Sequence, residues 1–265
     1  CDLPTGLTSL QFYSKSFAFS RGDYFNKELI SLKTNIFDED SDFDLKMFPP
    51  KLTELETTVV GNSSFDFVGG IPSSITSLSV VGEDRLNQFG NFPRHVKIFR
   101  FITGTYQKSI YGVENLPRHL TELSFGTAKF TVHEKDGFQL YKTEINYKEI
   151  EDFPPSIVVL RGIKFVTGSK NSNGCSDFSH LHNLTTMDEI EILTSDVELP
   201  SNIISFTGTF NLRTPHSLQF PPRLELLNAP LNFSTMGDKG LYDLGKLPKS
   251  LKKLEITSLI VEDTP

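Results

Sequence analysis

Cysteine and tryptophan are almost absent from the chain, which excludes some classes of protein. Only two of the 265 residues are cysteine and none is tryptophan. Cys1 and Cys175 are too few for a disulfide framework, so the sequence favours a reducing compartment, although one bridge between them stays open. We therefore expect a cytoplasmic protein, with a cell-surface or secreted one as the alternative.

Positive charge and long apolar runs are also scarce. The 26 Lys and Arg residues are outnumbered by 33 Asp and Glu, which gives a net charge of -7. Nucleic-acid surfaces usually need clustered Lys and Arg, and no apolar run approaches the roughly 18 residues of a spanning helix. We expect no nucleic-acid partner and no membrane insertion of this chain, and the oligomeric state stays open.

Proline, in contrast, recurs in a fixed pattern. Nine segments read apolar-Pro-x-x-apolar-x-x-apolar, and a tenth keeps the apolar positions without the proline. The ten segments begin at Leu3, Phe25, Phe48, Ile71, Phe92, Leu116, Phe153, Leu199, Phe220 and Leu247. The intervals between the first six starts are 21 to 24 residues. A degenerate eleventh copy is expected within residues 181–193, where the pairs Leu184/Met187 and Ile190/Ile192 each fit partway.

The spacing has a physical meaning, seen in LPRHLTELSF from Leu116. Alternation along a strand points Leu123 and Phe125 to one face and Glu122 to the other. Pro117 has no N–H to donate to a sheet, so it ends one segment and directs the chain into the next strand. Each repeat is therefore one bend and one strand, and neighbouring repeats bury their apolar residues together.

These LxxLxL units resemble the leucine-rich-repeat superfamily, and the Leu-Pro form is similar to its proline-anchored branches: the FNIP repeats of amoebae and the LPx-type repeats of bacterial effectors. The resemblance implies an α/β or mostly-β solenoid, a horseshoe with a parallel concave sheet. It would have about 11 irregular repeats of about 21–25 residues, with loops and short helical turns on the convex side. The Phe-Asn signature of FNIP repeats is missing from most units. The usual Asn ladder is also missing, and its positions hold Lys15, Val60, Glu83 and Ala128.

The whole of 1–265 is expected to be one solenoid domain. Because neither end offers the polar cap that a solenoid needs, we expect it to be a fragment of a larger protein. Residues 126–152 are interpreted as an insertion within the array, with a turn at Asp136-Gly137.

The outward strand residues line up across repeats and form the expected binding surface for a protein partner. Most are small and polar, but twice an arginine stands between two aliphatic residues, a composition typical of interface hot spots. These two triplets are Ile98, Arg100, Ile102 and Val159, Arg161, Ile163. The alternative is that the 126–152 insertion covers them. The same face includes Tyr13, and also Glu54 and Glu56, which either attract a basic segment or form a solvated charged face.

No catalytic motif is present, and we expect no enzyme activity, cofactor or metal. The nearest to a metal motif is CSDFSHLH, in which Cys175, Asp177, His180 and His182 match no established zinc spacing. The expected function is non-catalytic protein recognition, as a scaffold or substrate receptor. The alternative is an extracellular receptor domain for a ligand or glycan, which sequons at Asn62, Asn183 and Asn232 would suit if they were more than chance matches.

Overall fold

The computed structural model describes the predicted strands and the turns that lead into them. The described residues are 4–12, 26–34, 48–58, 71–82, 92–103, 116–127, 143–146, 153–166, 178–192, 199–212, 220–229, 231–233 and 247–256. The predicted convex loops and helical turns, the Asn-ladder positions and the Asp136-Gly137 turn lie outside them. Within these ranges the chain forms fourteen β-strands and no helix.

The strands are short and follow the repeats. They are β1 (Ser9–Phe12), β2 (Ser31–Thr34), β3 (Glu54–Thr58), β4 (Ser77–Gly82), β5 (Ile98–Thr103), β6 (Glu122–Thr127), β7 (Thr143–Asn146), β8 (Val159–Arg161), β9 (Ile163–Val166), β10 (Thr186–Ile192), β11 (Ser205–Leu212), β12 (Leu226–Asn228), β13 (Leu231–Phe233) and β14 (Lys253–Glu255). Each of the eleven predicted repeats contains the start of one strand. These strands are β1 to β6, β8, β10, β11, β12 and β14.

The chain divides into two compact units. The first comprises Cys1–Glu122 with Gly126–Tyr141, and the second comprises Leu123–Phe125 with Lys142–Pro265. In the first unit, β1 to β5 pair in parallel in chain order. In the second, β8, β10, β11, β12 and β14 pair in parallel in the same way. There β7, from the predicted insertion, pairs in parallel with β9, which also pairs with β10, while β13 pairs with β11.

The apolar core of each unit is a ladder of equivalent residues in register. In the first unit Leu32, Leu55 and Leu78 are partners on successive strands and are at most 2% exposed. In the second, Leu160, Met187, Phe206 and Leu227 form the matching ladder, each fully or almost fully buried. Parallel strands with a shared apolar row confirm the predicted solenoid of leucine-rich-repeat type.

The proline of each repeat closes a turn through its carbonyl group. Leu52 N donates to Pro49 O at 3.1 Å, and Leu120 N donates to Pro117 O at 3.0 Å. The same bond, from the apolar residue three positions on, recurs in all nine proline repeats. The proline ring ends the preceding segment, and its carbonyl then fixes where the next apolar residue enters the core.

This turn settles the register of the degenerate repeat. Leu184 N donates to Leu181 O at 3.0 Å, so Leu181 takes the place of the proline. Met187 is then the first core residue of β10, paired with Leu160 of β8. Leu184 and Met187 therefore carry the repeat, and Ile190 and Ile192 continue the same strand as further buried residues.

Polar side chains in the turns join consecutive repeats in place of an Asn ladder. The residue just before the apolar turn residue donates to a carbonyl of the preceding turn: Asn183 Nδ2 to Pro155 O at 3.1 Å, Asn202 Nδ2 to His182 O at 2.5 Å, and Ser250 Oγ to Pro222 O at 2.9 Å. These bonds satisfy backbone acceptors that would otherwise need water.

Asn202 tests the contribution of these side chains. We expect Asn202→Ala to lower the free energy of unfolding by about 1 kcal/mol or less, because the hydrogen bond from the side-chain amide to His182 O is lost at an exposed position. Asn202→Ser should recover part of the loss, since Ser250 makes the equivalent bond. Thermal unfolding followed by circular dichroism measures both, and equal melting of Asn202→Ala and the parent would show that the bond contributes nothing.

The core ladder supplies a second test, because its residue on β14 is far more exposed than its residue on β12. Leu227 is 1% exposed, whereas its partner in register, Leu254, is 43% exposed. We expect Leu227→Asp to destabilise the second unit by about 4 kcal/mol or more, because a carboxylate is buried, and Leu254→Asp to cost about 1 kcal/mol. Urea unfolding measures both, and equal effects would contradict the inward orientation of Leu227.

Candidate binding surface

The outward residues of the first unit form two rows that run across its strands. Partners in register make up each row. One row contains Ser9, Ser31, Glu54, Ser77 and Ile98, and the other contains Gln11, Lys33, Glu56, Ser79 and Arg100. The parallel pairing therefore places side chains from distant parts of the sequence side by side.

Two ion pairs join neighbouring strands on this face. Lys33 Nζ lies 2.9 Å from Glu56 Oε2, and Arg100 Nη2 lies 3.4 Å from Glu122 Oε1. Glu56 is thus already neutralised by a residue of its own chain. Glu54 is exposed and has no ion pair with any described residue. Of the two acidic residues predicted for this face, Glu54 is therefore the one whose charge can attract a basic group of a partner.

Strand β4 places two serine side chains between longer ones. Ser77 and Ser79 are 9% and 5% exposed although they face outward. Glu56 and Arg100 are the partners of Ser79 on the two neighbouring strands, and their longer side chains rise on either side of it. On the face of the first unit, two short serine side chains thus lie between Glu54 and Glu56 of β3 and Ile98 and Arg100 of β5.

The second unit carries a polar cluster around Asp188. Arg161 Nε lies 3.5 Å from Asp188 Oδ2, and Thr207 Oγ1 donates to Asp188 Oδ1. Thr207 Oγ1 also accepts from the backbone N–H of Glu189 at 3.0 Å. The carboxylate of Asp188 thus forms an ion pair with the guanidinium on β8 and accepts a hydrogen bond from the hydroxyl on β11.

The prediction that Ile163 faces outward is wrong. Ile163 is 0% exposed, whereas Val159 and Arg161 are partly exposed as predicted. The cause is Gly162, whose φ of +69° lies in the left-handed region and interrupts the strand between β8 and β9. One extra residue reverses the alternation, so the next side chain turns into the core.

A matching irregularity lies on the adjacent strand. The pairing of β10 with β11 shifts between Met187 and Ile190, where Glu189 has a φ of 53°. Gly162 N donates to Asp188 O at 3.0 Å, so the two irregularities lie next to each other. Arg161 and Asp188 are partners in register on the outward side, and each directly precedes the irregular residue of its strand.

The two predicted arginine triplets lie in different units. Ile98, Arg100 and Ile102 are partly exposed on β5 of the first unit, and Val159 and Arg161 are partly exposed on β8 of the second. Each group is paired with an acid of its own unit. Tyr13 lies outside the described residues.

Comparisons with known proteins give the chain no family. No family model and no curated protein matches it. Among solved structures it is similar to YopM from Yersinia enterocolitica WA-314, with 14% sequence identity and a TM-score of 0.34. The match covers 88% of this chain and 52% of YopM, so the chain spans about half the length of that protein. A likeness this distant carries no argument about function, and the repeat fold rests on the strand register described above.

Sequence reasoning missed Asp188, the residue that holds Arg161 in place. Its position could not be assigned because the proline that marks a repeat is absent there. The signal was the pair Leu184 and Met187 with the spacing of Leu120 and Leu123, which puts Asp188 at the outward position opposite Arg161.

The described residues contain no group of three His, Cys, Asp or Glu side chains arranged to hold a metal. Of the segment considered for zinc, His180 and His182 are described, and His182 Nδ1 lies 3.0 Å from His180 O. Cys1, Cys175, Asp177 and Asn62 lie outside the described residues. Across the described ranges, no helix is long and apolar enough to cross a membrane.

Gly162 is the residue on which the geometry around Arg161 depends. A Cβ atom there would lie 1.8 Å from Phe125 O, at a φ that L residues rarely adopt. We expect Gly162→Ala to destabilise the second unit by about 3 kcal/mol or more. Gly126→Ala is the matched control, because its Cβ would meet nothing closer than Ile102 Cγ1 at 4.0 Å. Chemical unfolding of both variants is the measurement, and equal stability would contradict the close approach.

Proposed function

We propose that this protein is a non-catalytic protein-interaction module that binds a protein partner through the outward faces of its parallel strands. The role we propose is that of a scaffold or a substrate receptor in the cytoplasm. We also assign its repeats to the proline-anchored type that resembles FNIP and LPx-type repeats, because the proline carbonyl closes the turn in nine repeats.

One arrangement, present in both units, carries the proposal. An outward arginine forms an ion pair with an acid of the next repeat, Arg100 with Glu122 and Arg161 with Asp188. Partly exposed Ile98 and Ile102 lie on both sides of Arg100, and partly exposed Val159 lies on one side of Arg161. The arginine side chains keep 43% and 41% of their surface exposed. An arginine that is already positioned loses less conformational freedom on binding, and arginine beside apolar surface is enriched among binding hot spots.

The remainder of the face supports recognition more than chemistry. The outward rows are dominated by Ser, Thr, Glu and aliphatic residues, which offer hydrogen bonds and shape. The histidines that the structure describes, His95, His119, His180 and His182, all lie in turns before strands and off these rows. A general base of the commonest kind is therefore absent from the described part of the face.

The proposal is tested with a partner selected on the protein itself. A peptide library displayed on phage is selected against the wild-type chain, and the best peptide is synthesised with a fluorescent label. We expect Arg100→Glu or Arg161→Glu to weaken its binding by about thirtyfold, because a hot-spot contact of about 2 kcal/mol is lost and the new carboxylate faces Glu122 or Asp188. Fluorescence anisotropy gives the Kd.

Lys27→Glu is the control for the same change of charge, since Lys27 is exposed in a turn before β2. Circular dichroism checks that all three variants keep their strands. A selected peptide that binds both arginine variants as tightly as the parent would place the interaction elsewhere and contradict the proposal.

A further inference from the structure

A second surface of the first unit differs in charge from the sheet face. It lies where the turns lead into β5 and β6, and consists of Arg94, His95, Lys97, Arg118 and His119; we call it the basic edge. Four of these residues are exposed and His95 is half-buried. Between residues 92 and 97, and again between 116 and 121, the sequence contains no carboxylate.

The backbone places these side chains together. Val96 N donates to Pro93 O at 3.2 Å and Leu120 N donates to Pro117 O at 3.0 Å, so both turns have the same hydrogen bond at the same point in the repeat. Arg94 and Arg118 therefore occupy equivalent positions in adjacent repeats, about 4.8 Å apart along the stack. Lys97 joins the two turns directly, because its carbonyl accepts the N–H of Thr121 at 2.8 Å.

Arg94 and Lys97 of the basic edge differ from the lysines of two other turns. In the turn before β3, Lys51 Nζ lies 2.5 Å from Glu28 Oε2, and before β14 Lys252 Nζ lies 2.9 Å from Glu225 Oε2. Arg94 and Lys97 have no ion pair with any described residue. The basic edge therefore has two cations, next to Arg118, that no described carboxylate neutralises.

We propose that the basic edge is a second interaction surface, which binds an acidic segment of a protein partner. Arginine guanidinium groups can bind carboxylates through two parallel hydrogen bonds, and the lysine adds a third cation from the same side. His119, which is exposed, adds a ring nitrogen to the same edge. This surface is distinct from the outward rows of the sheet, and its occupancy does not depend on the function proposed for them.

An acidic peptide fits this edge better than a nucleic acid does. Nucleic-acid affinity grows with the number of phosphates neutralised, and the edge offers three permanent cations over two repeats. The remaining charge of the chain is strongly negative and repels a long polyanion. A short segment with a few Asp or Glu residues matches both the size and the charge of the edge.

The test uses a fluorescein-labelled, glutamate-rich dodecapeptide and, as the competing probe, labelled oligothymidylate of equal length. We expect the double variant Arg94→Glu/Lys97→Glu to weaken peptide binding by about tenfold, because two attractive contacts become repulsive. Lys51→Glu/Lys252→Glu is the matched control: it makes the same change in net charge at exposed residues of the turns before β3 and β14, whose cations are already paired with Glu28 and Glu225. Its effect should be less than about twofold.

Three outcomes would overturn the proposal. The first is that both double variants weaken peptide binding equally, which would show that only the net charge of the chain matters. The second is no measurable binding of the acidic peptide to the wild-type chain at physiological salt. The third is tighter binding of the oligothymidylate than of the peptide, which would assign the edge to nucleic acid. The variant Arg100→Glu, on the outward face of the sheet, should leave binding of the acidic peptide to the basic edge unchanged. The two proposals can therefore fail independently of each other.

Discussion

A single carbonyl oxygen before each strand accepts two consecutive backbone N–H groups from the next repeat, and the stacking of each unit depends on it. Ile30 O accepts from Thr53 N at 2.9 Å and from Glu54 N at 3.0 Å, and the same pair of bonds recurs from repeat to repeat. Slippage by one residue would break this pairing and also turn every apolar side chain outward. Since the acceptor belongs to the backbone, residues as different as Ile30 and Lys97 serve equally well. The constraint thus fixes the core ladder and leaves the surface residues free to vary.

The same reasoning explains how much of the fold could be predicted from the sequence. The repeat pattern predicts ten strands, their order along the chain and the inward residues Leu123 and Phe125, because a turn of fixed length is followed by an alternating strand. It does not fix the register of the repeat around Leu184, where Leu181 supplies the carbonyl that a proline supplies in nine other repeats. The turn needs only a backbone carbonyl as hydrogen-bond acceptor, which any residue can supply, whereas the sequence pattern searches for proline. The repeat was therefore hidden in sequence although its geometry is regular.

What could not be predicted follows from conformations that the residue types do not reveal. A glycine at position 162 is compatible with a plain strand, and only its positive φ turns Ile163 into the core. Glu189 adopts a similar φ without being a glycine, a conformation that costs an L residue about 1 kcal/mol or more. Thr34 and Thr57 are polar, yet the alternation that directs Phe125 inward places them in the inward row beside Val80, and each is 1% exposed. Their hydroxyl oxygens have no hydrogen-bond partner among the described residues. The regular backbone of the repeat therefore buries these side chains although they are polar.

The two proposed surfaces differ in how their charges are used, and this difference assigns them different roles in binding. On the sheet face, Arg100 and Arg161 are neutralised by their own acids, so the field they project is short-ranged and recognition there depends on shape and close contact. At the basic edge, Arg94 and Lys97 keep their charge, which acts over about a Debye length, some 8 Å in physiological salt. Unpaired charges of this kind raise the rate of encounter more than the strength of the final complex. A partner with an acidic segment would accordingly be attracted by the turns before β5 and β6, while the outward rows of the strands discriminate among the proteins that arrive.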